Sequence, residues 1–271
     1  MSRIEDALNK AVRLTQGQMP PNGVEGPPSM PELRAIECVH PTNQMLLTIT
    51  SPYSATAEEY RKLKESLIKE SKKEGFSNAV LVTSANPQEG KTVTTLNLAI
   101  SLAQEYDYTV LVVDADLRAP SCHRYLGIEA GLGLSDCLQG KATCSEALIR
   151  TDIGRLVLLP AGPPVANPVE LISSNKMRQL VQELKHRYPD RFILIDSPPA
   201  KLFAETRFLA SMTDGTLIVV REGETSLDDL TEVTQALDNR IIGVVYNNAR
   251  ETPFRRPTHY DHYAYTQAEE V

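Results

Sequence analysis

Short runs of valine, isoleucine and leucine recur along the chain, and most are followed by a segment with helical character. They are Ala79–Thr83, Thr109–Asp114, Leu156–Leu159, Phe192–Asp196, Thr216–Val220 and Ile241–Tyr246. None alternates apolar with polar residues, as a strand with one wet face would. Strands read this way when both faces are buried, which calls for helices covering a parallel sheet. Thr92–Glu105, Pro168–His186, Ala204–Met212 and Leu227–Asn239 are predicted as those helices. Repeated β-α alternation predicts a doubly wound α/β fold with a mostly parallel sheet. Ligands of such sheets bind at the carboxyl ends of the strands, so the residues there carry the functional reading.

Strand Ala79–Thr83 runs through Ser84 into Ala85-Asn86-Pro87-Gln88-Glu89-Gly90-Lys91-Thr92-Val93 at a helix start. This is the [AG]-x-x-x-x-G-K-[ST] spacing of a phosphate-binding loop. Its backbone N–H groups and the helix N-terminus would cradle a nucleotide's phosphates. Lys91 would reach the β/γ-phosphates and the Thr92 hydroxyl would ligate Mg²⁺. Gly90 would let the backbone approach the phosphates closely. A chance match in a βα turn is the alternative, and the strand–loop–helix context argues against it. Two other strands end in acids. Asp196 closes Phe192–Asp196 and would hold the magnesium through a water. Asp114 and Asp116 emerge where Val110–Val113 ends, and a carboxylate there binds metal or takes a proton from an attacking hydroxyl. Each acidic strand end is weak evidence alone; with the loop they reinforce one another.

Three zones organise the 271 residues. Residues 1–35 hold a short amphipathic helix, Ser2–Leu14, with Ile4, Leu8, Ala11 and Val12 on one face, then a proline-rich linker. Residues 36–249 form the α/β domain, where a helix starts near Thr56 with Thr56 and Glu59 as its capping box. Residues 250–271 lack apolar periodicity and are expected to be a mobile tail containing Tyr260, Tyr263 and Tyr265. A formal charge of −7 argues against nucleic acid as the partner. Scattered cysteines without a CxxC pair fit a reducing compartment. No apolar run approaches the ~20 residues of a membrane span, and the N-terminus lacks a signal-peptide core, so the expected location is cytoplasmic.

Taken together, Ala85–Thr92, Val110–Arg118 with Ala119-Pro120, and Asp196-Ser197-Pro198-Pro199 resemble the bacterial tyrosine kinases of the capsular and exopolysaccharide machinery. These belong with the MinD/ParA-like P-loop ATPases. Leu159-Pro160-Ala161-Gly162 and Asn167-Pro168-x-Glu170-Leu171 are also family-like, and Met1–Leu8 resembles the exosortase-associated subgroup. The resemblance implies an autokinase that moves the γ-phosphate of ATP to tail tyrosines, typically on a neighbouring subunit. It implies ATP and Mg²⁺ as cofactors, Lys91, Asp114 and Asp116 as catalytic residues with Asp114 as proton acceptor, and Thr92, Asp114 and Asp196 around the metal. Asn247 matches the asparagine that contacts adenine, and Tyr260, Tyr263 and Tyr265 match the acceptors. Glu58-x-x-Arg61-x-x-Lys64 matches the helix of subunit contact in a homo-oligomer. A membrane chain-length determinant or activator protein of polysaccharide export is the implied partner, recruiting the chain to the cell membrane.

The chain departs from the pattern at Gln88, usually glycine, at Glu205, usually aspartate, and at Lys64, usually arginine. Asn86 stands where MinD and ParA relatives carry their signature lysine, which weakens the partitioning-ATPase reading. That rival predicts ATP lost to water and no effect of Tyr→Phe changes in the tail. A non-enzymatic, nucleotide-gated scaffold predicts ATP and partner binding with negligible turnover.

Overall fold

The computed structural model of the protein describes residues 36–41, 43–73, 78–187, 190–237 and 240–250. They belong to the compact unit Leu33–Val271. The expected N-terminal helix and linker, and Tyr260, Tyr263 and Tyr265, lie outside the described residues.

In chain order the elements are β1 (Ile36–Glu37), α1 (Leu47–Thr50), α2 (Ala55–Ser71), β2 (Ala79–Ser84), α3 (Lys91–Ala103), β3 (Thr109–Asp114) and α4 (Cys122–Leu126). Then follow α5 (Leu134–Gln139), α6 (Cys144–Ala147), β4 (Ile149–Thr151), β5 (Leu156–Leu159), α7 (Pro168–Ile172) and α8 (Asn175–Arg187). The last are β6 (Arg191–Asp196), α9 (Glu205–Ala210), β7 (Gly215–Arg221), α10 (Leu227–Ala236) and β8 (Ile241–Asn247). One eight-stranded sheet runs in the order β1-β4-β5-β3-β6-β2-β7-β8. Among the described residues, only the β4–β5 pair is antiparallel.

The apolar runs divide by parity between two cores. Val80, Val82, Val110, Val112, Phe192, Leu194, Leu217 and Val219 pack with Leu67 of α2 and with Leu96 and Ile100 of α3. Leu81, Leu111, Val113, Ile193, Ile195, Ile218 and Val220 pack on the other face with Met177 and Val181 of α8, Leu209 of α9 and Val233 of α10. Successive strand residues point to opposite faces, so a continuous apolar run is what a two-sided sheet requires.

Several expectations need correction. Helix α2 is capped by Ser54, whose hydroxyl accepts from Ala57 N at 3.2 Å, and not by a Thr56/Glu59 box. The span Pro168–His186 is two helices, because Ser174 Oγ accepts from Met177 N at 3.2 Å and restarts the chain as α8. Helix α3 begins one residue early, on Lys91, and ends at Ala103; α9 is shorter than Ala204–Met212, and α10 stops at Ala236. Strand β8 is not buried on both faces: it forms the sheet edge and exposes Val244 and Tyr246. Strands β1 and β4 carry too few residues for periodicity to register.

Candidate active site

The order β3-β6-β2 sets the three chemistry-bearing strands side by side. Asp114 pairs in register with Asp196 and Asp196 with Val82, so both acids and the loop after β2 open at one edge. Gly90 caps α3 at φ +94°, a left-handed conformation favouring glycine. A Cβ there would lie 2.0 Å from Asn247 Nδ2, and that amide donates to the Glu89 carbonyl at 2.9 Å. Gln88 also has positive φ, +63°, which gives a physical reason for glycine at this position in similar loops. The loop is braced from the β7–β8 side. Arg221 Nη1 donates to the Gln88 carbonyl at 3.2 Å, and the Thr225 hydroxyl donates to the buried Glu89 carboxylate, which also accepts from Asn86 N at 2.9 Å.

The phosphate-side residues converge. Lys91 Nζ lies 3.0 Å from Asp116 Oδ2, with only 15% and 5% of the two side chains exposed. Thr92 Oγ1 donates to Asp196 Oδ2 at 2.7 Å, and Thr95 Oγ1 to Asp196 Oδ1 at 3.3 Å. Asp114 Oδ2 accepts from Ser121 N at 3.1 Å and Cys122 N at 3.0 Å, while its buried Oδ1 has no partner among the described residues. Ala119 N donates to Asp116 Oδ1 at 3.0 Å and fixes the turn after the acids.

The electrostatics follow from burying three acids, Asp114, Asp116 and Asp196, around Lys91. Burial, then the Asp196 charge, pushes the Asp114 carboxyl up to about 7. Burial likewise raises Asp196, against the pull of Lys91 and Thr92. Burial works to lower Lys91, but the charges of Asp196, Asp116 and Asp114 outweigh it and hold the ammonium above its ordinary value. A pocket with more anions than cations and an orphaned carboxylate oxygen fits a divalent cation. Asp114, Cys122 and Asp196 offer ligand atoms within 4.8 Å of one another. Burial raises the Cys122 thiol and keeps it protonated, so the set that suits a hard cation is oxygen: Asp114, Asp196 and Thr92.

Lys91, Thr92, Asp114, Asp116 and Asp196 are thus brought together, and Asn86, Pro87, Gln88, Glu89, Gly90 and Val93 line the loop and helix start beside them. Asn247 reaches the loop from the sheet edge. Glu58, Arg61 and Lys64 lie apart on α2: Arg61 pairs with Glu58 and the Pro52 carbonyl, and Lys64 with Glu105. Sequence reasoning missed Thr95, Ser121, Cys122, Arg221 and Thr225. Thr95 lies just beyond the motif, one turn along α3 from Lys91, and the others enter the site only through tertiary contacts.

A phosphate loop opening a helix and flanked by two acidic strand ends defines a P-loop nucleotide-binding protein of the MinD/ParA-like fold. Residues 82–245 match the family model described as an AAA domain. Tyrosine-protein kinase YwqD of Bacillus subtilis is 31% identical over 208 residues, 76% of this chain and 86% of that one. The chain belongs to this family of bacterial tyrosine-protein kinases. The chimerical protein CapA2B2 superposes with a TM-score of 0.71 at 26% identity, covering 81% of this chain and 96% of that one. The septum site-determining protein MinD of Pyrococcus horikoshii shares the fold, with a TM-score of 0.55 at 24% identity over 68% of this chain and 76% of that one. Among the described residues no helix is long and apolar enough to cross a membrane.

Proposed function

We propose that the chain is an ATP-dependent protein-tyrosine autokinase that phosphorylates Tyr260, Tyr263 and Tyr265 of its own tail, between subunits, and regulates exopolysaccharide or capsule synthesis and export. The observation that carries this reading is the buried cluster of Lys91, Thr92, Asp114, Asp116 and Asp196 in a chain of this family.

The residues divide the work. Backbone amides of the loop over 86–93 and the N-terminus of α3 bind the phosphates. Lys91, kept charged by its three acidic neighbours, neutralises charge on the transferred phosphoryl. Thr92, Asp114 and Asp196 would hold Mg²⁺, which would offset the negative charge of the phosphates. Asp114, with its carboxyl near neutrality and Oδ1 without a partner, takes the proton of the attacking phenol, whose pKa of ~10 keeps it protonated at pH 7. Asp116 orients Lys91. Asn247, at the edge of the loop, contacts the adenine. At ~3.4 Å per residue, the segment from Ala249 to Tyr265 has a maximum reach of ~50 Å, enough to reach a neighbouring subunit.

Glu58, Arg61 and Lys64 form the subunit contact. A membrane chain-length determinant or activator recruits the assembly to the inner face of the cell membrane, with the expected N-terminal helix, Ser2–Leu14, as one candidate contact. Mass spectrometry after incubation with Mg-ATP tests the reading. Tail phosphate is expected on the wild type and absent from Lys91→Met and from the triple Tyr→Phe variant. Bound ATP without tail phosphate, even beside the activator's cytoplasmic segment, would leave a plain ATPase.

A further inference from the structure

Arg118 is held by two contacts just beyond the acidic turn. Its Nε donates to Glu205 Oε1 at 2.7 Å, and its guanidinium lies 4.5 Å from the centre of the Phe203 ring. Glu205, the first residue of α9, is 1% exposed, and its Oε2 has no partner among the described residues. A buried carboxylate is costly unless a cation faces it, so Glu205 and Arg118 hold each other in place. Nε is spent inward. The Nη1 and Nη2 groups have no partner among the described residues, and the side chain is 37% exposed. A guanidinium fixed by stacking and by Nε, with its terminal fork unused, suits bidentate capture of a carboxylate or phosphate.

The sheet order decides between them. From the edge inward run β8, β7, β2, β6 and β3. Asn247 ends β8, the phosphate loop follows β2, and the metal-side acids end β6 and β3. A nucleotide reaching from Asn247 to Lys91 lies over the β8–β2 side. The approach left for an acceptor is over β6 and β3, and Arg118 lies in the loop after β3, bridged to the segment after β6. The phosphates already have Lys91 and the loop amides.

We propose that Arg118, positioned by Glu205 and Phe203, is a specificity residue that recognises a carboxylate beside the acceptor tyrosine, and that Asp261 of this chain's tail is that carboxylate. Asp261 follows Tyr260 directly and stands two residues before Tyr263, whereas Glu269 stands four residues beyond Tyr265. At ~3.4 Å per residue only Asp261 stays within one side chain's reach of an acceptor. The proposal rests on the tail-kinase reading above.

The test is a double-mutant cycle in the full chain, reading initial rates of phosphate incorporation at each tail tyrosine. Asp261→Asn and Arg118→Gln each lower the rate at Tyr260 and Tyr263 about fivefold, the scale of a partly exposed ion pair, and together they lower it no further. Glu205→Gln reproduces the Arg118→Gln loss when the tail is wild type and has no added effect when the tail carries Asp261→Asn. Glu205→Asp, which keeps the charge, recovers part of it. A general loss of fold at residue 205 would depress both tails equally. Multiplicative losses, or an Asp261→Asn tail phosphorylated at the wild-type rate, would overturn the assignment while leaving the kinase reading intact. Absence of tail phosphate on the wild type, with ATP bound, would overturn both.

Discussion

At the residue scale, the site concentrates acid where water cannot reach it. The Asp114 carboxyl, raised to about 7 by burial and by the charge of Asp196, keeps its proton in the folded, metal-free protein at pH 5.5. The unfolded chain, with an aspartate pKa of ~3.9, has lost it by then. The folded state therefore binds the extra proton between roughly pH 4 and 7, and stability falls as pH rises through that window. The Asp114→Asn protein has no such proton. Melting temperatures in chelator from pH 5 to 8 should decline more steeply for the wild type than for the variant. Parallel slopes would show that Asp114 titrates like an ordinary carboxylate. Most of these residues were legible in the sequence because the loop spacing and the acidic strand ends are local features. That the two acids become neighbours came only from the family resemblance and not from local sequence, because it depends on β3 and β6 pairing in register across a long chain separation.

At the element scale, α3 carries the phosphate loop and is almost wholly buried, so its few polar groups decide how firmly it is seated. Asn97 Oδ1 accepts from Thr48 N at 3.0 Å and Thr48 Oγ1 at 2.9 Å, and Nδ2 donates to the Met45 and Val93 carbonyls, each at 2.9 Å. Asn97→Ala strands these partners and should cost ~2–3 kcal/mol, a drop of roughly 4–12 °C in melting temperature. Ser101, one turn on, is the opposite case. Its buried hydroxyl has no partner among the described residues, so Ser101→Ala should raise stability by ~0.5–1 kcal/mol. A calorimetric comparison of the two variants decides: equal destabilisation would mean that packing, not hydrogen bonding, governs both. Elements of this kind were readable where long apolar runs met clear breaks. The caps Ser54 and Ser174 were not legible, because any small polar residue before a helix fits the same pattern until a hydrogen bond selects one.

At the scale of the whole molecule, charge would set the terms for the proposed assembly. Arg61 and Lys64, the expected contact residues, are already paired within one chain, to Glu58 and Glu105. A neighbouring subunit docking there would compete with these pairs, so the net gain per contact would be small and the proposed assembly sensitive to added repulsion. Each chain carries a formal charge of −7, and three phosphotyrosines at about −1.5 to −2 each would add roughly −5. Phosphorylation would then raise the net negative charge of each chain by a factor of about 1.7, from −7 to roughly −12. Light scattering should give a multiple of the 30.0 kDa chain before incubation with Mg-ATP and a smaller mass after it. The fall should shrink at high salt, because the screening length contracts from about 8 Å at physiological ionic strength to about 3 Å at 1 M. The triple Tyr→Phe variant should hold its mass throughout. A wild-type mass unchanged by full tail phosphorylation at low salt would mean that the contacts on α2 outweigh the added charge, and assembly would then be controlled by something other than repulsion between tails.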